Sequence, residues 1–316
     1  MEINYIILGH KNPNQISRLV NQLSTSNTNF YIHIDKSTSL LPFITELENY
    51  NNVYLLDDDK RISVGWGDIS MIIATLICLK KIVSDEREGY CVMLSGQDYP
   101  IKNSKYIEDY FEKYNGQNFI DGSPIPYKYW DENGMPRILY YNFHIDLKSR
   151  ITLTIPSIYN KAFYSKNTLR GIKRLLRTNN RYKLVRVFKK RGFPKYVKPY
   201  AGSQWWALPI NTIKFILTFI ERNPSYLSYH KYTHIPDEIF FPSIVFSNFD
   251  QNQIMPHITY VDWSKSEGPY PTIFELNDFN KLNNSSKLFA RKFDYEFDKS
   301  IFDKIDEKLL QNKILL

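Results

Sequence analysis

Tyr90-Cys91-Val92-Met93-Leu94-Ser95-Gly96-Gln97-Asp98-Tyr99-Pro100 is the stretch on which the fold turns. Its first five residues read as a strand buried on both faces, and the run stops abruptly in small, polar and turn-forming residues. Residues 102–114 then read as a helix. In open α/β sheets ligands sit outside the carboxyl ends of such strands, so the turn at 95–98 is a candidate binding edge.

The same unit repeats upstream. Ile3-Asn4-Tyr5-Ile6-Ile7-Leu8 is a buried-type strand ending at Gly9-His10, and Asn12-Pro13-Asn14 opens a helix in which Ile16, Leu19, Val20 and Leu23 recur at helical spacing. Phe30-Tyr31-Ile32-His33-Ile34 ends at Asp35-Lys36, a short helix spans 40–50, and Val53-Tyr54-Leu55-Leu56 is the third strand. Residues 68–83 are apolar nearly all round, which predicts a buried helix. Four strand–helix units with short connections predict a mostly parallel sheet with helices on both faces. His10, Asp35, Trp66 and the turn at 95–98 then converge on one edge, as a nucleotide pocket requires. No Gly-x-Gly-x-x-Gly and no Walker loop occurs, which argues against dinucleotide and P-loop readings.

The second half is less regular. Residues 118–141, with Pro124, Pro126, Gly134 and Pro136, read as loops and short strands. Residues 161–198 look helical in two pieces broken near Thr178-Asn179-Asn180. Trp205-Trp206-Ala207-Leu208 reads as a strand, 210–222 as a helix, and Pro236-Asp237-Glu238 opens another.

The 316 residues hold no apolar run near the roughly 18–20 that cross a membrane. Met1-Glu2-Ile3-Asn4 has no basic leader, and Cys78 and Cys91 read as buried free thiols, so the expected setting is cytoplasmic. The 24 Tyr and 20 Phe serve core packing, and as apolar plates with polar edges they also suit sugar rings. The net charge of +8 is concentrated: residues 161–198 carry 14 Lys or Arg and no acid, leaving 27 basic against 33 acidic residues elsewhere. That segment suggests a peripheral contact with anionic lipid on the inner face of a membrane. A non-enzymatic nucleic-acid-binding module is the alternative; confinement of the charge to one segment and the lack of a nucleic-acid motif argue against it.

Ile7-Leu8-Gly9-His10-Lys11, Tyr31-Ile32-His33-Ile34-Asp35-Lys36, Val64-Gly65-Trp66-Gly67, the run at 94–100, Gly202-Ser203-Gln204-Trp205-Trp206, Pro236-Asp237-Glu238 and Phe289-Ala290-Arg291-Lys292-Phe293-Asp294 follow one another in order. Together they resemble the motifs of the core-2/I-branching N-acetylglucosaminyltransferase family, glycosyltransferase family 14, which also holds the peptide O-xylosyltransferases. The resemblance implies a GT-A fold, with a Rossmann-like nucleotide-sugar-binding half at 1–116 and an acceptor-binding, catalytic half at 117–316. It implies an inverting, metal-independent transfer of a sugar, N-acetylglucosamine, from a UDP-sugar to a hydroxyl of a glycan or lipid-linked glycan. Bacterial surface-polysaccharide or glycoconjugate assembly is the expected setting.

By that resemblance His10 and Asp35 line the uridine pocket with Trp66, Glu238 is the base, and Arg291 and Lys292 neutralise the diphosphate. A carboxylate suits deprotonation of an attacking hydroxyl, and fixed cations suit the charge left on a departing diphosphate. From the residues alone, Asp237 and Glu238 serve equally to stabilise a helix start. Trp206 and Trp263 are the expected acceptor-facing rings. Family members of the core-2 type carry an upstream arginine that residues 268–274 lack, with Lys265 as a substitute. No cofactor is expected. Asp57-Asp58-Asp59 reads as a surface turn; the alternative is a metal-dependent GT-A enzyme using Asp57 and Asp59.

Overall fold

The computed structural model describes residues 1–145, 151–265 and 270–311. Its first part runs β1 (Ile3–Gly9), α1 (Pro13–Leu23), β2 (Thr28–Ile34), α2 (Leu41–Leu47), β3 (Val53–Leu55), α3 (Ser70–Ser84), β4 (Tyr90–Ser95), β5 (Asp98–Pro100) and α4 (Ser104–Lys113). The four expected strand–helix units are present. After them come β6 (Asn118–Phe119), β7 (Gly122–Pro124), α5 (Met135–Leu139), β8 (Tyr141–His144), β9 (Thr152–Ile155), α6 (Lys166–Leu176), β10 (Tyr200–Gly202), β11 (Ala207–Pro209) and α7 (Ile210–Arg222). The chain closes with α8 (Pro224–His230), α9 (Asp237–Asn248), β12 (Ile254–Met255), β13 (Thr259–Val261), α10 (Phe279–Asn283), β14 (Phe289–Arg291) and α11 (Ser300–Lys308).

Seven strands form the central sheet in the order β12-β6-β11-β4-β1-β2-β3. β4, β1, β2 and β3 are parallel, whereas β11 runs antiparallel between β4 and β6. The sheet therefore takes strands from both sides of residue 116. Apolar side chains alternate to its two faces, one cluster lying with α1, α4 and α11 and the other with α3, α7 and α9. Burial on both faces explains the nearly continuous apolar strands.

Strand order reverses between β1 and β4, which opens a crevice at their carboxyl ends. The chain passes closely here: a Cβ on Gly9 would lie 2.6 Å from Ile16 Cδ1, and Gly96 N donates to Leu8 O at 2.9 Å. The buried Gln15 side chain donates to the carbonyls of Gly96 (2.8 Å) and Phe293 (3.3 Å) and accepts from Tyr295 N (2.8 Å). Lys11 and Asn12 both hold Asp294, at 2.5 and 3.0 Å. The first and last sequence motifs thus meet at one edge. A second, three-stranded sheet, β13-β14-β5, continues this edge and sets Arg291 directly opposite Asp98.

The expected strand at Trp205-Trp206 begins later, at Ala207, although Trp206 O still accepts from Met93 N at 2.9 Å. Residues 161–198 supply α6 and a 3-10 turn at Arg181–Phe188, packed on the β8–β9 hairpin. Among the described residues no helix is long and apolar enough to cross a membrane.

Candidate active site

The carboxyl edge of the parallel strands is built largely by backbone capture. Asp35 Oδ1 accepts from Ser37 N (2.7 Å) and Ser37 Oγ (2.5 Å), while Oδ2 accepts from Val64 N at 2.6 Å. His33 Nε2 accepts from Ile62 N at 3.1 Å. Both groups hold the loop that leads to Trp66. His10 is exposed at the end of β1, and its carbonyl accepts from Thr38 Oγ1. The Trp66 ring lies 6.0 Å from that of His234 and 6.1 Å from that of Tyr270, and Lys292 Nζ stands 5.6 Å over Tyr270.

Arg291 sits beside this row. Its guanidinium stacks 3.5 Å over the Trp205 ring, and its Nε is 3.3 Å from Asp98 Oδ1. Asp98 is fully buried; its Oδ2 accepts from Ser95 N at 2.6 Å and Trp205 Nε1 at 2.8 Å. Burial pushes the Asp98 carboxyl up, opposed by Arg291 and then by these donors. Stacking and ion pairing together fix the guanidinium plane.

A cavity of about 380 Å³ is lined by Trp205, Glu238, Trp263, His257, Tyr260 and Lys287, among others. Glu238 stands in the first turn of α9, where the helix dipole favours a carboxylate. Ile235 N donates to Gly67 O at 3.0 Å, which ties the start of α9 to the Trp66 loop. Arg137 Nη1 donates to Glu238 Oε2 at 2.6 Å, and its guanidinium lies 3.7 Å over Trp130. Burial raises the Glu238 carboxyl above the usual range, and Arg137 opposes that rise. The neighbouring Asp237 is 5% exposed and is raised by burial and then by the charge of Glu238. It lies within electrostatic reach of both Arg137 and Arg291. Glu238 and Trp205 therefore line one cavity, and Arg291 stacks on that same Trp205 ring.

Of the two tryptophans expected at the acceptor, Trp263 is 57% exposed at the cavity. Trp206 is a correction. It is 2% exposed, with its ring 5.1 Å from that of Phe241, and it presents no surface to a sugar. We expect Trp206→Ala to cost about 3–5 kcal/mol in urea unfolding, through the cavity it leaves, with the cleft residues untouched. Lys265 is also committed elsewhere, to Glu275 (3.1 Å) and Asp278 (3.3 Å). Residues 266–269, which include part of the loop lacking the upstream arginine, lie outside the described residues.

Asp57 pairs with Lys60 at 2.6 Å and Asp58 with Arg61 at 2.9 Å, in a surface turn. Among the described residues no group of three or more His, Cys, Asp or Glu is placed to hold a metal ion. The sequence reading missed Arg137, Tyr270 and His234. Arg137 lies 101 residues before its partner in an irregular stretch, so no spacing could have flagged it.

A family model described as Core-2/I-Branching enzyme matches residues 3–283. The chain belongs to this family. It is a glycosyltransferase. Over 338 residues it is 22% identical to the beta-1,3-galactosyl-O-glycosyl-glycoprotein beta-1,6-N-acetylglucosaminyltransferase 4 of Danio rerio, covering 99% of this chain and 70% of the relative. It is 24% identical to the human N-acetyllactosaminide beta-1,6-N-acetylglucosaminyl-transferase, covering 92% of this chain and 67% of that one. A Drosophila melanogaster xylosyltransferase is 30% identical, across 34% of this chain and 12% of its own.

Proposed function

We propose that this family member has a GT-A fold and moves N-acetylglucosamine from a UDP-sugar to a hydroxyl of a glycan, free or lipid-linked, by one inverting displacement without a metal ion. Glu238 takes the proton of the acceptor hydroxyl as that oxygen bonds to the anomeric carbon. The bond from the anomeric carbon to the diphosphate oxygen breaks, and UDP leaves with its charge met by Arg291 and Lys292. His10, Trp66 and the loop held by Asp35 face the nucleotide. Trp263 faces the acceptor.

The observation that carries this reading is Trp205, which lines one cavity with Glu238, a carboxylate raised by burial, and stacks against the Arg291 guanidinium. Thermal-shift screening against UDP, GDP and UDP-sugars tests the donor. UDP and one UDP-sugar should raise the melting temperature equally with and without EDTA, and GDP should not. A shift that disappears with chelator would favour metal use, with Asp57 and Asp59 the first residues to mutate.

A further inference from the structure

The charge-rich segment at 161–198 has a surface that its packing does not explain. Leu175 and Val187 turn inward against Phe143 and Ile155 of the hairpin. Leu169 and Leu176 lie seven residues apart on one stripe of α6 and are 58% and 50% exposed. Lys166, Arg170 and Lys173 stand exposed along that helix, and Arg177 just past its end. In the following 3-10 turn the three-residue period eclipses side chains three apart. Tyr182, Val185 and Phe188 consequently form one ridge, exposed by 69%, 63% and 60%. None of the ion pairs among the described residues uses a lysine or arginine of this segment.

We infer that this face docks on an anionic lipid bilayer, with Tyr182, Val185 and Phe188 entering the interface and the surrounding cations meeting headgroup phosphates. Charge complementarity alone would suit a nucleic acid as well. Tyr182 and Phe188 also suit stacking on unpaired bases, but the exposed aliphatic Val185, Leu169 and Leu176 gain nothing there, whereas an anionic bilayer rewards the cations and all five apolar side chains. The lobe adjoins the cleft: the His144 ring, at the end of β8, is 6.3 Å from that of His234, which neighbours Trp66. An acceptor carried in the same membrane is thereby brought beside the transfer site. The docking residues lie outside that site, so this inference deepens the reading of the acceptor yet is tested without any transfer assay.

Vesicle flotation is the test, using phosphatidylcholine alone and phosphatidylcholine mixed with phosphatidylglycerol. The full chain should float with the anionic vesicles and not with the neutral ones. The variant Lys166→Gln/Arg170→Gln/Lys173→Gln/Arg177→Gln should lose roughly 10²–10³-fold in partitioning. Tyr182→Ser/Val185→Ser/Phe188→Ser should lose about tenfold or more. Both should keep the parent's thermal midpoint. Should the ridge variant unfold, Val185→Trp gives a separate readout: relative to the parent, its tryptophan emission should move to shorter wavelength on addition of anionic vesicles. Protein that stays unbound, equal flotation with neutral vesicles, or an emission of the Val185→Trp variant that vesicles leave unmoved would overturn the inference. So would a ridge variant that floats undiminished and is displaced by a single-stranded oligonucleotide, which would mark a nucleic-acid surface instead.

Discussion

Glu238→Gln is expected to lower transfer by about 10²–10⁴-fold while leaving the UDP-induced thermal shift in place. Glutamine keeps the shape of the side chain and an oxygen for Arg137, so the first turn of α9 and its contact at 2.6 Å survive. What it removes is the capacity to accept a proton. The pH profile supplies a second readout. Burial holds the Glu238 carboxyl high and Arg137 pulls it down, so transfer should rise with pH as the carboxyl ionises. In Arg137→Gln the opposing charge is gone, and that acid limb should move to higher pH. A Glu238→Gln protein with near-parental transfer would end the assignment of Glu238 as base, whatever the fate of the pH profile.

Arg291→Met should damage both stability and transfer, and the two losses are separable. Asp98 is wholly buried and Arg291 is its cationic partner, so removing the guanidinium strands a carboxylate in the interior. Breaking a buried pair in this way costs about 3–5 kcal/mol. Adding Asp98→Asn removes the stranded charge, and the double variant should regain much of the lost stability in urea unfolding. Transfer should stay low, by about 10²–10³-fold, since nothing replaces the cation offered to the departing diphosphate. If the double variant recovers transfer together with stability, Arg291 is a structural partner of Asp98 and Trp205 and no more.

The four strand–helix units were legible because their signals are local. A strand buried on both faces is apolar throughout, and a helix places its core residues at a fixed period, so Tyr90 to Leu94 and the Ile16, Leu19, Val20, Leu23 series announce themselves. The convergence of His10, Asp35, Trp66 and the turn at 95–98 then follows from parallel topology. Glu238 and Arg291 were legible only through their motifs, since an acidic first turn and a basic pair near a terminus have ordinary structural uses. At Trp205-Trp206 the sequence put Trp206 toward the acceptor, and the structure turns it into the core. Phe241 of α9 packs against Trp206, while Asp98 and Arg291 hold Trp205.

The sequence by itself therefore determined the layered α/β plan and the edge on which the candidate residues gather, because strand burial and helix period act over a few neighbouring residues. Only the tertiary structure decided the partners: Arg137 for Glu238, Trp205 and Asp98 for Arg291, and the two carboxylates that occupy Lys265. It also decided the exposed ridge of Tyr182, Val185 and Phe188. At an α-helical period those three would fan around the axis, and the three-residue turn that aligns them is held by packing against a hairpin distant in the chain.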